Sequence, residues 1–252
     1  MSQYYKIPRQ ANWNFVPNVR NNFKLSRSKL DLFLRCPRCF YLDNKLGLKQ
    51  PPSFPFNLNS AVDKLLKKEF DIYRAKNKKH PLLAKYKIAA KPVAHKDLDQ
   101  WRDNFCGIQY LHPKTGLIIS GAIDDLWINS KKEYIVVDYK STSKDEEITA
   151  LDQGWQIGYK RQMEVYQWLL RQNGYKVSDV GYFVYCNGDT DKEAFDAKLE
   201  FDITLIAYTG DDSWVESAII EAHQCLLSEQ IPASGLDCDF CDYRQAVKKV
   251  EK

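Results

Sequence analysis

Two acidic residues and a lysine stand near the ends of two stretches whose residue types favour β-strands. Asp124 follows Gly121 by three positions, and Asp138 and Lys140 come fourteen and sixteen positions after Asp124. The stretches are rich in Ile, Val, Trp and Tyr, alternate in polarity, and are separated by the polar turn 130–132. They extend over residues 117–129 and 133–140. The sequence therefore predicts a β-hairpin that brings Asp124, Asp138 and Lys140 together.

The direction of the side chains decides which residues of this hairpin can act together. Side chains two positions apart on a strand share a face, so Asp138 and Lys140 point the same way while Tyr139 points opposite. Asp124 and Asp125 face opposite sides, so only Asp124 joins them. Two carboxylates in one site repel each other, and a divalent ion such as Mg²⁺, held with waters and phosphate oxygens, removes that repulsion. A nearby lysine can orient or deprotonate a water, or neutralise charge on the phosphate, which is the chemistry of a metal-dependent nuclease.

Three short motifs in a fixed order carry a resemblance to a known family. They are G-x-x-D at 121–124, D-Y-K-S at 138–141, and Q-x-x-x-Y from Gln162 to Tyr166 one helix downstream. Each is common by chance, but their order and spacing are specific. The chain resembles the PD-(D/E)xK nuclease superfamily in its RecB-type exonuclease branch. The resemblance implies an α/β fold with a restriction-endonuclease-like core, a mixed central β-sheet flanked by helices, and a helical N-terminal elaboration.

The resemblance also implies a set of metal ligands. Asp124 and Asp138 would hold Mg²⁺ or Mn²⁺ together with the backbone carbonyl of Tyr139. Related enzymes usually place a G-x-x-x-H element on the helix before the sheet, and here Asn59 and Asp63 stand at its glycine and histidine positions. A carboxylate is a hard ligand that suits either ion, so we expect Asp63 to be a further ligand. The alternative is a helix-surface residue, favoured near a helix N-terminus by the macrodipole.

The resemblance also implies catalytic roles for Lys140, Gln162 and Tyr166. Lys140 would position or activate the attacking water, and Gln162 and Tyr166, which share a helix face, would contact the substrate or steady the lysine. The implied function is a DNA exonuclease acting on single strands or duplex ends in repair, recombination or CRISPR adaptation, with protein partners unknown. Two alternatives are a non-catalytic DNA-binding module of nuclease fold and a zinc-stapled interaction domain. The complete Asp/Asp/Lys set argues against the first, and the Gln162/Tyr166 pair against the second.

Four of the seven cysteines form two C-x₂-C pairs at opposite ends of the chain. The pairs are Cys36 with Cys39, and Cys238 with Cys241. In a reducing compartment such pairs indicate a metal site rather than disulfides. Four thiolates bind either Zn²⁺ or an iron–sulfur cluster. We therefore expect the four cysteines to converge on one metal centre that joins the two ends.

The residues around these pairs extend the resemblance. C-P-R-x-F-Y-L and C-x₂-C-D-Y-R resemble the flanks of RecB-type nucleases whose terminal segments are joined by a [4Fe–4S] cluster. That pattern has one N-terminal cysteine and three near the C-terminus. Here no cysteine follows Cys241, and Cys39 stands where the pattern has a non-ligand, so Cys39 is expected to supply the fourth ligand. The two-plus-two arrangement is equally typical of structural zinc, and both metals stay open.

Length and composition restrict the class of protein. The 252 residues suit one elaborated domain, which we divide into an arm and helix with the first cysteine pair (1–57), a nuclease core (58–210) and a helix with the second pair (211–252). No apolar run approaches the ~18–20 residues of a membrane span, and the first residues lack a secretory pattern, so a cytoplasmic location is the expectation. The net charge is only +4, but residues 64–91 carry ten basic and two acidic residues. Such a run favours the binding of nucleic-acid phosphates, and the alternative is a solvated helix face followed by a lysine-rich loop.

Periodicity and turn residues predict the elements that position these groups. The predicted helices are 25–34 with Ser26 as cap, 58–75 with Val62, Leu65, Leu66 and Phe70 on its apolar face, 152–173 closed by Gly174, and one capped by Asp211 or Asp212 that ends at Leu227. Besides the hairpin, the predicted strands are 105–110, 180–186 and 198–203, with a short strand or helix near 86–93.

Overall fold

A computed structural model describes residues 14–17, 23–52, 57–146 and 148–251. Within these residues the strands are β1 Lys24–Ser26, β2 Ala90–Pro92, β3 Ile108–Leu111, β4 Ile118–Gly121, β5 Asp125–Asn129, β6 Tyr134–Thr142, β7 Val180–Gly188 and β8 Phe201–Thr209. The helices are α1 Arg27–Arg35, α2 Pro37–Asn44, α3 Asn57–Ala75, α4 Pro81–Lys85, α5 Leu98–Arg102, α6 Ile157–Gln172, α7 Val215–Leu227 and α8 Asp239–Val250, and Gly154–Gln156 forms a 3₁₀ turn. The predicted mixture of helices and strands is confirmed.

The described residues belong to two compact units. The first takes its residues from 1–54, 110–120 and 213–252, and the second from 55–109 and 121–212. The assignment of the chain to one domain stays a prediction. In the described part of the chain, no helix has the length and apolar character needed to cross a membrane.

The second unit is built on a five-stranded mixed sheet in the order β2-β5-β6-β7-β8. The central strand β6 runs antiparallel to β5 and parallel to β7. A parallel pair needs a long crossover, and α6 supplies it between β6 and β7. The predicted hairpin of β5 and β6 is confirmed, with Asp125 opposite Val137.

Helix α3 covers part of this sheet with its apolar side. Leu66 and Phe70 are buried in a core that includes Trp127 and Tyr139, and the ring of Phe70 lies 5.4 Å from that of Trp127. The helix boundaries agree with the prediction to one residue. The inclusion of Leu65 in the buried face was wrong, because its side chain is 63% exposed.

The long first strand of the predicted hairpin is broken. Residues 117–129 were expected as one strand, but β4 and β5 lie in different sheets, separated by 122–124. The backbone there bonds elsewhere: the Ile123 amide donates to the Trp101 carbonyl at 3.1 Å, and Arg102 Nε donates to the Asp124 carbonyl at 3.0 Å. The chain also passes close to α6, because a Cβ at Gly121 would lie 2.5 Å from the Tyr166 ring.

Other boundaries also differ from the sequence prediction. The strand expected at 105–110 is β3, preceded by a turn in which the Asp103 carboxylate accepts from the amides of Phe105 and Cys106. Asp212 does not cap α7, because its carboxylate accepts a hydrogen bond from Arg171, and α7 begins after Trp214 without a side-chain cap. The last residues form helix α8, which the sequence analysis did not predict.

The first unit contains most of a small sheet in the order β1-β4-β3, in which β1 runs parallel to β4. Ser26 caps α1 as predicted, since its hydroxyl accepts from the Lys29 amide at 3.4 Å. Helix α2 begins with Pro37 in its first turn, where a missing amide proton has no cost. Cys36 precedes it as the cap residue.

Candidate active site and four-cysteine centre

Strand β6 and helix α6 bring four of the sequence-predicted site residues together. Asp138 is fully buried; its Oδ1 accepts from Gln162 Nε2 at 2.7 Å, and its Oδ2 pairs with Lys140 Nζ. Gln162 Nε2 also donates to the Tyr166 hydroxyl at 3.0 Å, while its Oε1 accepts from Lys140 at 3.3 Å. The predicted convergence of these side chains is confirmed, and their chemical roles stay predictions.

The Lys140 ammonium lies among groups that keep it charged. Its Nζ stands 4.5 Å from the centre of the Tyr159 ring. Burial alone would lower the pKa of Lys140, but the charges of Asp138 and Asp124 outweigh burial and raise that pKa above its ordinary value. The strand places this cation on the same side as Asp138, while the Tyr139 side chain enters the core on the other face, as predicted.

Asp124 and Asp63 meet at a second lysine, which the sequence analysis did not single out. Asp124 Oδ2 accepts from the Tyr139 amide at 2.9 Å. Lys67 Nζ donates to Asp63 Oδ2 at 2.9 Å and to Asp124 Oδ1 at 3.3 Å. Burial, and then the charge of Asp124, raise the pKa of Asp63. Burial opposes a charged Lys67, but Asp124 and Asp63 outweigh it and raise the pKa of the lysine.

The chemistry of these donors fits a hard divalent ion. The carboxylates of Asp63, Asp124 and Asp138 offer the oxygen ligands that Mg²⁺ and Mn²⁺ prefer. Across the described ranges, however, no acidic trio has its ligand atoms within 4.8 Å of one another. The carboxylates form ion pairs with lysines instead: Lys67 pairs with Asp63 and Asp124, and Lys140 pairs with Asp138. The role of Asp63 as a metal ligand stays a prediction.

Asp125 lies on the face opposite to Asp124, at the centre of a buried charged network. Its Oδ1 accepts from Arg102 at 2.7 Å and also pairs with Arg74, and its Oδ2 accepts from the Tyr139 hydroxyl at 2.9 Å. Trp127 Nε1 donates to the same Oδ2 at 3.1 Å. Burial, followed by the charge of Asp125, raises the pKa of Tyr139 well above its ordinary value, so the hydroxyl remains a donor.

Arg102 connects this network to the candidate site. One guanidinium nitrogen contacts Asp125, another donates to both Asp71 oxygens at 2.9 and 3.0 Å, and Nε donates to the Asp124 carbonyl. The backbone of Asp124 is thus held by a salt-bridged arginine. Sequence reasoning missed Arg74 and Arg102 because no local spacing relates them to Asp125; the contacts span 51 and 23 residues.

A cleft of about 810 Å³ opens beside the acidic residues of the second unit. Asp63, Asp124 and Lys140 line it, together with hydroxyl and aromatic side chains. Its aromatic residues include Trp155, Tyr159, Tyr185 and Phe201; Tyr139 also borders it, but the Tyr139 ring lies in the core on the other face of the sheet. Trp155 falls within the predicted helix 152–173, but it lies in the 3₁₀ turn before α6 and is 53% exposed.

The four-cysteine centre lies in the first unit. Cys39 Sγ is 3.6 Å from the Sγ atoms of both Cys238 and Cys241, and Cys36 Sγ is 3.8 Å from that of Cys241. All four are buried, and all four sulfurs lie within 4.8 Å of one another. The predicted convergence of the two C-x₂-C pairs is confirmed.

Helix N-termini position the sulfurs. Cys36 and Cys238 are the residues that precede α2 and α8, and the second cysteine of each pair lies in the first turn. The amides of Gly235 and Cys39 donate to Cys36 Sγ at 3.3 and 3.4 Å. Burial opposes the thiolate, but these amides outweigh it and lower the pKa of Cys36 to about 7. Burial raises the pKa of Cys241 to about 11, which disfavours its thiolate unless a cation is bound beside it.

Comparison with known proteins places the site in a family context. A family model described as the PD-(D/E)XK nuclease superfamily matches residues 24–246, a range that includes every candidate site residue. No curated protein matches the chain significantly. The crystal structure of SSO0001 is similar with 15% identity and a TM-score of 0.40, over 85% of this chain and 82% of that one. A likeness at that level carries no argument about fold or function.

Proposed function

Since the chain belongs to the PD-(D/E)XK nuclease superfamily, we propose that it is a divalent-metal-dependent DNA nuclease of the RecB type. The observation that carries the proposal is the contact set of Asp138, Lys140 and Gln162 beside a cleft that Asp124 and Asp63 also line. A complete set of acidic and basic groups at an open cleft supports hydrolysis rather than binding alone. Exonucleolytic action on single strands or duplex ends is the finer part of the proposal.

The acidic residues would form the metal site. Asp124 and Asp138, with Asp63 and the Tyr139 carbonyl, would hold Mg²⁺ or Mn²⁺. A metal bound there supplies Lewis acidity toward the phosphate and lowers the pKa of a coordinated water. The Tyr139 amide orients Asp124 through its bond to Oδ2.

The lysine and the helix residues would act on the substrate side. Lys140 positions the attacking water or stabilises charge that develops on the scissile phosphate. Gln162 contacts both Asp138 and Lys140 and so fixes their relative position. Tyr166 accepts from Gln162 and holds the amide in that orientation.

A cleavage assay tests the nuclease proposal directly. End-labelled single-stranded and duplex DNA are incubated with the purified protein in Mg²⁺, Mn²⁺ or EDTA, and the products are resolved by length. We expect cleavage that requires the metal, and successive shortening from an end if the enzyme is an exonuclease. DNA binding without cleavage in either metal would favour the non-catalytic module instead.

We further propose that the four-cysteine centre holds one Zn²⁺ ion, in place of the [4Fe–4S] cluster that the family flanks suggested. With Zn–S bonds of about 2.3 Å, tetrahedral geometry puts sulfurs about 3.8 Å apart. The sulfur–sulfur separations of 3.6 and 3.8 Å support a single ion. A cubane places four irons between the sulfurs and needs them farther apart. Metal-ligating thiolates also support a reducing, cytoplasmic location.

Anaerobic purification followed by metal analysis and absorbance spectroscopy separates the two metals. We expect colourless protein with one zinc per chain. Brown protein with stoichiometric iron and sulfide, and with the broad visible absorbance of a cluster, would overturn the zinc proposal and leave the nuclease proposal untouched.

A further inference from the structure

The cleft carries an aromatic surface that the candidate hydrolytic chemistry does not use. Trp155 is 53% exposed at the cleft, in contrast to the fully buried Trp127 of the sheet core. An indole left half in water is available to a flat apolar ligand. Trp155 shares its cleft with Asp63 and Lys140, so such a ligand would be held next to the candidate catalytic groups.

The turn that presents Trp155 does not depend on the indole for its shape. The Gln153 amide donates to the Gln156 side-chain oxygen at 2.9 Å, and the Gln156 amide donates to the Gln153 carbonyl at 2.9 Å. Gln156 is buried and the two side chains form a capping box. The indole is therefore presented by a turn that its neighbours fix, as expected of a preorganised binding residue rather than a packing residue.

A second ring and two cations surround the indole. The Tyr159 ring meets Trp155 edge-on, with centroids 5.5 Å apart and planes at 83°. Lys144 Nζ lies 4.9 Å from the Trp155 ring centre, and Lys140 Nζ lies 4.5 Å from that of Tyr159. Aromatic faces interleaved with ammonium groups match the alternation of bases and phosphates along a single strand.

We propose that Trp155 and Tyr159 form a stacking platform for an unpaired base of single-stranded DNA, adjacent to the phosphate that the nuclease cleaves. A base inside a duplex has both faces covered by its neighbours and cannot stack on a protein ring unless it is extruded. The platform therefore selects single strands and frayed ends. Lys144, and Lys140 beyond it, draw the flanking phosphates toward the cleft. This inference rests on the proposed nuclease function, whose substrate it specifies.

Binding measurements in EDTA test the platform without turnover. Fluorescence anisotropy with a labelled single-stranded oligonucleotide compares the wild type with Trp155→Ala, Trp155→Phe and the control Phe195→Ala. Phe195 is 74% exposed and is not among the residues that line the cleft. We expect a loss of affinity of about 5- to 150-fold in Trp155→Ala, which is the conversion of the about 1–3 kcal/mol that stacking contributes per base. Trp155→Phe should retain most of the affinity, and Phe195→Ala all of it.

A scan with abasic nucleotides identifies stacking specifically. At one position, removing the base should weaken binding to the wild type about as much as Trp155→Ala weakens binding of the intact oligonucleotide. The same abasic oligonucleotide should bind Trp155→Ala as tightly as the intact one does. Duplex DNA with blunt ends should bind more weakly than the single strand, with little change in Trp155→Ala.

Three results would overturn the platform: undetectable binding of single strands by the wild type, unchanged affinity in Trp155→Ala, or equal losses at abasic positions in wild type and variant. Cleavage of DNA by the wild type alongside any of these would leave the nuclease proposal standing. Conversely, intact stacking with no cleavage in Mg²⁺ or Mn²⁺ would remove the nuclease proposal and retain the single-strand site.

Discussion

The two candidate metal-binding regions assemble their ligands in opposite ways. In the four-cysteine centre, four buried sulfurs already lie within 4.8 Å of one another. In the acidic site, carboxylates stand against protein ammonium groups: Lys67 bridges Asp63 and Asp124, and Lys140 pairs with Asp138. The acidic site also borders an open cleft.

This difference matches the different requirements of a structural metal site and the proposed catalytic one. A structural ion has all its positions filled by protein, so converging donors away from solvent suit it. A catalytic ion needs positions for water and substrate, so incomplete convergence beside a cleft suits it. The donor types agree with this distinction: the buried centre offers soft cysteine sulfurs, and the site at the cleft offers hard carboxylate oxygens.

The largest effect should come from the charged residues of the open site. Asp138→Asn or Lys140→Met should lower DNA cleavage by about 10²-fold or more, because each removes a proposed metal ligand or the group beside the attacking water. Rates on end-labelled DNA measure this, with melting curves to verify folding. Asp196→Asn, at a well-exposed aspartate, is the matched control. Near wild-type cleavage in both site variants would show that the acidic site is not the catalytic site.

A large loss of stability should follow from Asp125→Asn. Asp125 faces away from the candidate metal site, and the sequence analysis therefore left it out of that site. Facing away does not make it dispensable, because Arg74 and Arg102 would lose their buried counter-ion. Breaking such a pair costs about 3–5 kcal/mol of unfolding free energy, measurable by urea denaturation. A stability within about 1 kcal/mol of wild type would show that the open site does not rely on this network.

A moderate effect is expected at the closed site. Cys39→Ser should reduce bound zinc below one per chain and lower Tm by about 5 °C or more, since metal binding stabilises only the folded state. Cys106→Ser, at an exposed cysteine outside the centre, should change neither quantity. Zinc content by mass spectrometry and calorimetric Tm report the two effects. If the catalytic rate per folded molecule stays unchanged, the closed site is purely structural.

The smallest effect should be seen at the edge of the buried network. Burial opposes a charged Asp71, but Arg102 and Arg74 outweigh it and lower the pKa of Asp71 below 3.8. This stabilisation is present at pH values above 3.8 and is lost as the pH falls through the lower pKa of the folded state. Because the carboxylate is 44% exposed, Asp71→Asn should cost at most about 1 kcal/mol at neutral pH. Denaturation curves give the unfolding free energies of the wild type and Asp71→Asn at neutral and at acidic pH. The difference between the two proteins should be present at neutral pH and disappear at acidic pH; a difference that does not change with pH would contradict this.

Features encoded over short distances in the chain were predictable. The Ser26 cap, the extent of α3 and the shared helix face of Gln162 and Tyr166 each depend on residues a few positions apart. The convergence of the cysteines was predictable despite their separation, because paired thiols in a reducing compartment have few other uses.

Features that depend on distant partners were not predictable. The break at 122–124 lies where the backbone bonds to α5 and where Gly121 passes close to the Tyr166 ring, and neither contact is visible in the pattern of the strand. The exposure of Trp155 was not predicted because residues 152–173 were expected to form one helix, whereas α6 begins two residues after Trp155. Lys67 follows Asp63 by one helical turn and could have been found as an ion pair, but its contact with Asp124 could not.

The position of Lys67 would make binding of the proposed metal an exchange reaction. Asp63 and Asp124 already share a tethered monovalent cation, at 2.9 and 3.3 Å. A divalent ion that takes both carboxylates must evict this ammonium, so its apparent affinity equals its intrinsic affinity reduced by the strength of those two contacts. The displaced side chain would keep its positive charge on a flexible stem, one helical turn from the proposed metal, where it would face the phosphates of the proposed DNA substrate.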